Sequence, residues 1–464
     1  KPIPVAIAMS IITIPTAIAA TAILIIGEDI VLLSPFEKIT LFAMKNSTFN
    51  SIINFRSAKI TLFFLCTLIS CKNNGQQSAT TIEKKAEKHS KEVVVGANRM
   101  YLYIKDLQDK NIGLVTNQTG IVKTEKSKYV HLVDTLLKKK IKLTKVFAPE
   151  HGFRGEADAG EVVKDGKDTR TGLPIVSLYG KNKKPTPRML ADVDVLLFDM
   201  QDVGTRFFTY ISTLHYVMEA CAEEQKKLIV TDRPNPNDYV DGPILQDDCR
   251  SFVGVDPLPI LHGLTIGELA NMINGEGWLG KKEMKCDLTV VPMSGWKHGQ
   301  EYALPVKPSP NLPTANAIAW YPSLCLFEAT IMSVGRGTDF PFEVLGYPKK
   351  VFGSFVFVPR PIRGMDSNPL YKGRHCYGVD LRGEKAPRGL SLQLLIRYYR
   401  TARREGIKFV NRKQMFYLLA GTKELAQQIE KGRTEEQIRA SWQSDLDKYH
   451  KLRKKYLLYP TPTE

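Results

Sequence analysis

The segment Ala148-Pro-Glu-His-Gly-Phe-Arg-Gly155 places an acid, Glu150, directly before an imidazole, His151, in a glycine-flanked turn. Glycine permits a tight turn and the close approach of a ligand. A carboxylic acid whose pKa is raised by burial can protonate the oxygen of a glycosidic bond. A plainer alternative is that Glu150 pairs with Arg154 and only stabilises the loop. The residue pattern alone leaves both interpretations open.

A second cluster, Asp199-Met-Gln-Asp-Val-Gly-Thr-Arg206, continues to Tyr210. Asp202 and Arg206 are four residues apart, which is compatible with an ion pair inside the loop. Such a pair contributes less than ~1 kcal/mol when it is exposed. Alternatively, Arg206 binds an anionic group of a substrate, because a planar guanidinium matches a carboxylate through two hydrogen bonds.

Two further segments carry charged residues next to glycine or proline. The Asp-Arg-Pro-Asn-Pro run at 232–236 allows the same two interpretations, and its prolines stiffen the loop. Further along, Arg336 lies between two glycines, and Glu328 precedes it by eight residues. Each of these segments is a weak indication of a site when taken alone.

The elements that must position these residues alternate along the chain from Val93. Short apolar runs predict strands at residues 112–116, 145–148, 174–178, 193–198 and 228–231, and helical spacing predicts helices at 130–140 and 208–224. This alternation indicates an α/β fold with a Rossmann-like, mainly parallel sheet and helices on both faces.

Charged and amide side chains follow the carboxyl ends of several of these strands. They are Glu150, Asp199, Gln201, Asp202, Asp232 and Arg233. In open α/β sheets, ligands bind in the crevice outside those ends. The sequence therefore predicts a binding site at this edge of the sheet.

The pattern changes after residue 246. Thr265 and Glu268 form a predicted capping box at the start of a helix. A strand is predicted at 288–292, a Pro- and Asn-rich loop at 307–314, and helices at 390–404, 412–428 and 434–456. We therefore expect a Rossmann-like catalytic domain over residues 93–246 and a second, smaller α+β domain over 247–464 that completes the cleft.

Composition excludes several classes of function. The formal net charge is +17, but the lysines and arginines are scattered and no zinc-finger or RNA-binding motif occurs, so we expect no nucleic-acid partner. The seven cysteines lack C-x-x-C spacing and the histidines lack metal-ligand spacing, so we expect no metal. No Walker loop or G-x-G-x-x-G motif occurs, so we expect no nucleotide cofactor.

The first 92 residues are typical of a targeting segment rather than of a domain. We expect translation to start at Met44, with residues 1–43 upstream translation, and residues 44–71 to form a lipoprotein signal peptide ending at a lipid-modified Cys71. The alternative is a transmembrane anchor, but the apolar core of about a dozen residues is short against the ~20 that span a bilayer. The polar composition of residues 72–92 predicts a flexible tether. The predicted location is outside the cell membrane, as an anchored lipoprotein in the periplasm or at the cell envelope.

Seven ordered segments resemble a bacterial family once catalogued as a domain of unknown function and now represented by exo-β-N-acetylmuramidases. They are Val115-Thr-Asn-Gln-Thr-Gly120, Ala148-Pro-Glu-His-Gly-Phe-Arg-Gly155, Asp199-Met-Gln-Asp-Val-Gly-Thr-Arg-Phe-Phe-Thr-Tyr210, Asp232-Arg-Pro-Asn-Pro236, Gly263-Leu-Thr-Ile-Gly-Glu-Leu-Ala270, Pro308-Ser-Pro-Asn-Leu-Pro-Thr314 and Gly335-Arg-Gly-Thr338. The resemblance extends from about Val94 to the C-terminus. It implies a Rossmann-like domain, a smaller C-terminal domain, and an active site in the cleft between them.

The resemblance also implies an activity, namely release of N-acetylmuramic acid from the non-reducing end of peptidoglycan fragments without a cofactor. It makes Glu150 the candidate general acid. Our hypothesis for the mechanism adds Asp202, Asp199 or Glu328 as a second carboxylate and His151 or Tyr210 as an assisting group, with Asp199 and Glu328 also candidates for substrate binding. The lactyl carboxylate of the sugar would be bound by Arg206, Arg233 or Arg336. The remaining candidate substrate-binding residues are Asn117, Arg154, Gln201, Asp232, Asn235 and Asn311. Val334 and Leu261 depart from the family pattern, which bears on substrate preference more than on fold.

Two other functions compete with hydrolysis. A lyase would break the same bond by elimination and leave an unsaturated sugar. A non-catalytic lipoprotein would bind muropeptides or wall glycan and release no product. The sequence leaves the oligomeric state and the length of the accepted glycan open.

Overall fold

The computed structural model describes residues 22–26, 29–33, 92–150, 152–153, 166–281 and 283–462. The chain divides into two compact units, Lys1–Ser90 and Lys91–Glu464. In the first unit, β1 (Ala22–Ile26) and β2 (Asp29–Leu33) pair in antiparallel fashion. The predicted signal peptide, Cys71 and the tether as far as residue 91 lie outside the described residues. Within the described part, no helix is both long and apolar enough to cross a bilayer.

A seven-stranded sheet forms the centre of the second unit. Its strands are β3 (Ile112–Thr116), β6 (Leu143–Ala148), β7 (Gly166–Lys167), β8 (Pro174–Ser177), β9 (Val195–Asp199), β10 (Lys227–Thr231) and β13 (Asp287–Val291), in the order β13-β10-β9-β3-β6-β8-β7. Every neighbouring pair is parallel except β7 with β8. All five residues of both β3 and β9 are buried, as the apolar runs of a sheet covered on both faces require. The predicted mainly parallel sheet is confirmed.

Side chains alternate across this sheet into two cores. Phe198 and Leu196 of β9 join the core that contains the helix Tyr210–Glu223, whereas Leu197 and Val195 join the core that contains the helix Leu132–Lys138. The helices on the two faces include α1 (Ile104–Leu107), α2 (Leu132–Lys138), α3 (Pro187–Leu190), α4 (Tyr210–Glu223) and α5 (Ile266–Glu276). The capping box of Thr265 and Glu268 is present at the start of α5, as predicted. Short antiparallel pairs join β4 (Ile121–Lys123) to β5 (Tyr129–His131) and β11 (Val240–Asp241) to β12 (Leu261–His262).

The remainder of the chain forms the smaller C-terminal part. It contains α6 (Ala315–Leu324), the antiparallel strands β14 (Val344–Tyr347), β15 (Phe355–Phe357) and β16 (Cys376–Asp380), and the helices α7 (Gln393–Arg404), α8 (Lys413–Ala420), α9 (Glu424–Glu430) and α10 (Glu435–Arg453). The single helix predicted over 412–428 is wrong. Gly421 ends α8 with a positive φ of 76°, which glycine adopts without strain.

The central sheet also extends past the domain boundary predicted at residue 246. Strand β13 pairs with β10 over its whole length, from Lys227 opposite Asp287 to Thr231 opposite Val291. Its apolar run was predicted as a strand, but neighbours in a sheet are set by packing and not by position along the chain. The sheet is therefore complete only when residues 287–291 have joined it.

The last residues of the chain return to this first part of the fold. The Tyr459 hydroxyl donates to the Asp232 carboxylate, and the Leu458 amide donates to Glu268 Oε1 at 2.8 Å. His298 bridges Glu268 and Asp238, with Nε2 at 2.9 Å from Glu268 Oε1. Burial lowers the pKa of His298, but the two carboxylates outweigh burial and raise the pKa to about 9. A charged imidazole is thus held between two carboxylates under the C-terminal segment.

Candidate active site

Glu150 lies just beyond the carboxyl end of β6, where its side chain is half-buried. Its Oε2 accepts a hydrogen bond of 2.9 Å from the Thr209 hydroxyl. Thr209 directly precedes α4, so the loop after β9 and the end of β6 meet at this carboxylate. The other two members of the predicted motif, His151 and Arg154, lie outside the described residues.

Two tyrosines flank Glu150. Burial raises the pKa of Tyr179 and of Tyr210, and the neighbouring Glu150 carboxylate raises both further. Both phenols therefore stay protonated and can donate hydrogen bonds. The Tyr210 hydroxyl lies 3.0 Å from the Pro308 carbonyl oxygen, to which it donates. Tyr179 was not predicted, because a tyrosine after a short strand carries no distinctive spacing.

The loop that follows β3 supplies two amides to the same place. The side chains of Gln118 and Asn117 approach the Tyr210 hydroxyl and lower its pKa against the effects of burial and Glu150. Gln118 Nε2 also donates to the Pro308 carbonyl at 3.1 Å. Asn117 was predicted as a site residue, whereas Gln118 was missed although it lies within the Asn-Gln-Thr-Gly motif.

Asp202 reaches the cluster from the loop after β9. Its Oδ2 accepts a hydrogen bond of 2.7 Å from the Gly204 amide and lies 3.6 Å from His262 Nε2. His262 Nδ1 accepts from the Leu264 amide at 3.2 Å, so the neutral ring carries its proton on Nε2. Within the described part, Asp202 Oδ1 and His262 Nε2 are buried without a hydrogen-bond partner. The amide of Gln201, the residue before Asp202, donates to the Thr119 hydroxyl at 2.9 Å, and that hydroxyl donates to Asn117 Oδ1 at 2.6 Å. Asp202 therefore lies beside the loop that carries Asn117, and its charge also raises the pKa of Tyr210.

The C-terminal part contributes Arg336 and Glu328. Arg336 Nε donates to Glu328 Oε1 at 2.5 Å, and the guanidinium lies 5.2 Å from the centre of the Phe342 ring. Arg336 Nη1 is buried without a partner among the described residues. The Phe342 ring also contacts Tyr321, at 5.0 Å between ring centres, and Tyr321 contacts Phe208, the residue before Thr209. These contacts connect Arg336 to the Glu150 side of the cluster, and its positive charge lowers the pKa of Tyr179 against burial and Glu150.

Asn311 lies in the Pro-rich loop that carries Pro308. Its Nδ2 donates to the Met365 carbonyl at 2.9 Å, and within the described part its buried Oδ1 lacks a partner. The cluster as a whole offers three carboxylates, two phenols, several amides and one guanidinium. Among the described residues, no group of His, Cys, Asp and Glu is arranged to hold a metal ion.

Several predicted site residues are instead used to hold the strand ends together. Asp199 is fully buried and receives hydrogen bonds of 2.8 Å from both Nε and Nη2 of Arg233, with a third from the Thr231 hydroxyl at 2.7 Å. Arg233 Nη2 also donates to the Ile121 carbonyl. Arg233 borders a separate cavity of about 200 Å³ that is lined by Tyr302 and Ile121 among others.

Asp232, Gln201 and Asn235 have structural partners too. The fully buried Asp232 accepts from the Thr265 hydroxyl and from the Gly267 amide of α5, and burial followed by the Glu268 charge raises the pKa of Asp232 to about 7. Gln201 Nε2 donates to the backbone carbonyls of residues 202 and 234. Asn235 Nδ2 donates to the carbonyl of residue 264.

The substrate contact predicted for Arg206 has no support in this geometry. Arg206 is fully buried, and its guanidinium donates to the carbonyls of Pro243, Leu258 and Leu419. Burial lowers the pKa of Arg206 to about 9. A side chain at Gly421 would collide with this guanidinium. Arg206 therefore fastens the loop after β9 to the end of α8.

The two roles considered for Arg233 can be separated by stability measurements. Arg233→Ala leaves the Asp199 carboxylate buried and unpaired, so we expect the free energy of unfolding to fall by about 3–5 kcal/mol. Urea denaturation of the Lys91–Glu464 unit measures this change. Arg382→Ala is the matched control, because Arg382 pairs with Asp380 at 2.6 Å on the surface and should cost less than about 1 kcal/mol. Equal losses for the two variants would contradict the structural role.

Two family models match the chain over most of its length. The model described as "Exo-beta-N-acetylmuramidase NamZ, N-terminal" matches residues 112–316, and the model described as "Exo-beta-N-acetylmuramidase NamZ, C-terminal" matches residues 319–459. The two matches meet within α6, downstream of β13. The first match thus includes the whole sheet, in agreement with the pairing of β13 and β10.

A named relative and two solved structures are similar to this chain over most of its length. The peptidoglycan beta-N-acetylmuramidase NamZ of Bacillus subtilis (strain 168) is 42% identical over 380 residues, covering 77% of this chain and 89% of the relative. A DUF1343 family protein from Bacteroides fragilis NCTC 9343 matches with a TM-score of 0.72 and 40% identity over 80% of this chain and 100% of its own. A second DUF1343 family protein from the same strain has a TM-score of 0.66 and 31% identity, over 79% of this chain and 99% of its own.

Proposed function

This chain belongs to the exo-beta-N-acetylmuramidase NamZ family of glycoside hydrolases, and we propose that it releases N-acetylmuramic acid from the non-reducing end of peptidoglycan fragments. The observation that carries the proposal is the convergence of Glu150, Asp202, Tyr210 and Arg336 at one edge of the sheet. Carboxylates and a guanidinium at one place suit the cleavage of a sugar that itself carries a carboxylate.

Glu150 is the proposed general acid. It sits half-buried at the end of β6, held by the Thr209 hydroxyl. The two phenols beside it remain protonated and can orient a substrate oxygen. A carboxylic acid in such a partly desolvated place can transfer its proton to the departing glycosidic oxygen.

Asp202 is the proposed second carboxylate. Asp199 is excluded because Arg233 and Thr231 occupy its oxygens in a fully buried position. Glu328 is already paired with Arg336 at 2.5 Å. Asp202 alone of these three keeps a buried oxygen without a partner within the described part. The anomer released first distinguishes an Asp202 that attacks the sugar from one that activates water.

The Glu150 assignment is tested by the isosteric Glu150→Gln variant. The amide cannot donate an acidic proton, so we expect turnover of a MurNAc–GlcNAc disaccharide to fall by at least about a hundredfold while the melting temperature is kept. Product mass measures both rate and reaction type, since hydrolysis adds one water and elimination gives a dehydrated sugar. Glu301→Gln, an exposed change of the same kind, is the control. Near-normal turnover by Glu150→Gln would remove that residue from the role of acid.

Arg336 is the proposed partner of the lactyl carboxylate. Its Nη1 is buried and unpaired among the described residues, and its positive charge lowers the pKa of Tyr179. A guanidinium can bind a carboxylate through two parallel hydrogen bonds even while its Nε remains on Glu328.

This role predicts a change in sugar preference. Arg336→Gln should lower kcat/KM for an aryl glycoside of N-acetylmuramic acid by about tenfold or more, because a charge-assisted hydrogen bond contributes about 1.5–3 kcal/mol. The corresponding N-acetylglucosamine glycoside lacks the lactyl carboxylate and should be affected much less. Steady-state rates on both substrates measure the preference. An equal loss on both would assign Arg336 to the support of Glu328 instead.

We also propose that the protein is exported and anchored through a lipid on Cys71, with residues 72–92 as its tether. The support is the sequence alone, a basic stretch and a short apolar core before Cys71. Mass spectrometry of the protein from its native membrane should find an acylated N-terminal peptide that starts at Cys71. Peptides from before Met44 would contradict both the start site and the anchor.

A further inference from the structure

A groove of about 760 Å³ lies on the C-terminal part of the fold, formed by α7 and the turn at residues 350–352. Its lining residues are Val351, Phe352, Arg397, Arg400, Thr401, Arg403 and Arg404. Residues 112–150 and 199–210, which carry most of the Glu150 cluster, contribute nothing to it. The groove is thus separate from the candidate active site.

The groove has a concentrated positive charge. Arg397, Arg400 and Arg404 are spaced at three and four residues, so they share one face of α7. All four of its arginines are exposed, and no ion pair in the described part involves them. The negative carboxyl end of the helix dipole favours basic residues in the last turn, where Arg403 and Arg404 lie. It does not explain Arg400 and Arg397, which lie one and two turns earlier.

An exposed apolar side chain stands among these charges. Phe352 is buried, and its ring stacks at 14° on that of Tyr398, which fixes the turn against α7. The neighbouring Val351 is 51% exposed, and Lys349 and Lys350 precede it. The acidic residue that follows α7, Glu405, pairs with Lys349 at 3.5 Å. A rigid turn therefore presents a bare valine in a strongly basic surrounding.

We propose that this basic groove docks the protein on anionic phospholipid headgroups. Guanidinium groups match phosphate oxygens through paired hydrogen bonds. A valine among basic side chains can enter the boundary between headgroups and acyl chains. Several unpaired guanidiniums along one open face suit a surface of many headgroups better than a single small anion, which would neutralise only one or two of them.

The proposed lipid anchor is compatible with this docking but is not required for it. The composition of residues 72–92 predicts a linker, and a linker of roughly 20 residues spans about 25 Å on average, which would keep the folded unit near the bilayer. One acyl anchor together with a basic surface is a common combination for membrane attachment. Docking would then hold the folded unit in one orientation instead of letting it swing on its tether.

The test uses the Lys91–Glu464 unit, which lacks the apolar leader. This unit is compact by itself. The match to one solved relative covers 80% of this chain and the whole of the solved chain, so a protein of about this extent folds alone. Co-sedimentation is measured with vesicles of phosphatidylcholine alone and with vesicles that also contain phosphatidylglycerol, at low and high salt. We expect binding to the anionic vesicles only, and we expect high salt to weaken it.

The decisive variant is Arg397→Gln/Arg400→Gln/Arg404→Gln. Each basic residue near an anionic surface contributes about fivefold, so we expect a loss of about a hundredfold in partitioning. The matched control, Lys138→Gln/Lys139→Gln/Lys142→Gln, removes the same charge from exposed positions near the end of α2 and should retain most of the binding. Thermal unfolding and disaccharide turnover verify that both variants are folded, and Arg400→Gln alone replaces the triple variant if that one does not fold.

Three results would overturn the proposal. One is equal binding by the triple variant and the lysine control, which would show that vesicle binding depends on the net charge of the protein and not on the groove. Another is equal binding to neutral and anionic vesicles. The third is tight, groove-dependent binding to soluble polyphosphate with no binding to vesicles, which would identify the occupant as a polymer. Because the measurement involves no turnover, its failure would leave the assignment of Glu150 unaffected.

Discussion

The fully buried ion pair between Asp199 and Arg233 is the interaction on which the arrangement of the site depends. It joins the ends of β9 and β10, and through the Ile121 carbonyl it also fixes the loop after β3. A carboxylate with no exposed surface is tolerated only when its charge and its lone pairs are matched, so neither residue can move alone. The loops that carry Asn117 and Asp202 start from this fixed point.

Arg206 performs a similar task over a longer range of the chain. Its three carbonyl partners come from residues 243, 258 and 419, so one side chain connects the loop after β9 with the helical C-terminal part. That connection brings residues of the C-terminal part, Glu328 and Arg336 among them, into the same folded unit as Glu150. The two buried arginines thus hold in place the loops that carry the Glu150 cluster.

The sheet, and the edge of it at which polar residues gather, could be predicted from the sequence, because apolar runs and the residues that follow them are local features of the chain. The sequence did not show which of three guanidiniums would join the Glu150 cluster. Arg206, Arg233 and Arg336 all follow turn-forming residues in the sequence. Arg206 is nevertheless buried against Leu419 and Arg233 against Ile121, and each of these partners is more than a hundred residues away along the chain. His262 was passed over for the same reason, since its approach to Asp202 depends on the pairing of β11 and β12.

The attachment of the C-terminal segment has a consequence for how the chain folds. Asp232 and Glu268 are buried carboxylates of the first part of the fold, and their partners Tyr459 and Leu458 lie 227 and 190 residues further along the chain. Contacts between residues so far apart in sequence close large loops and therefore cost more chain entropy than local contacts. We therefore expect these bonds to form late, after the helix and strand that carry the two carboxylates have already assembled.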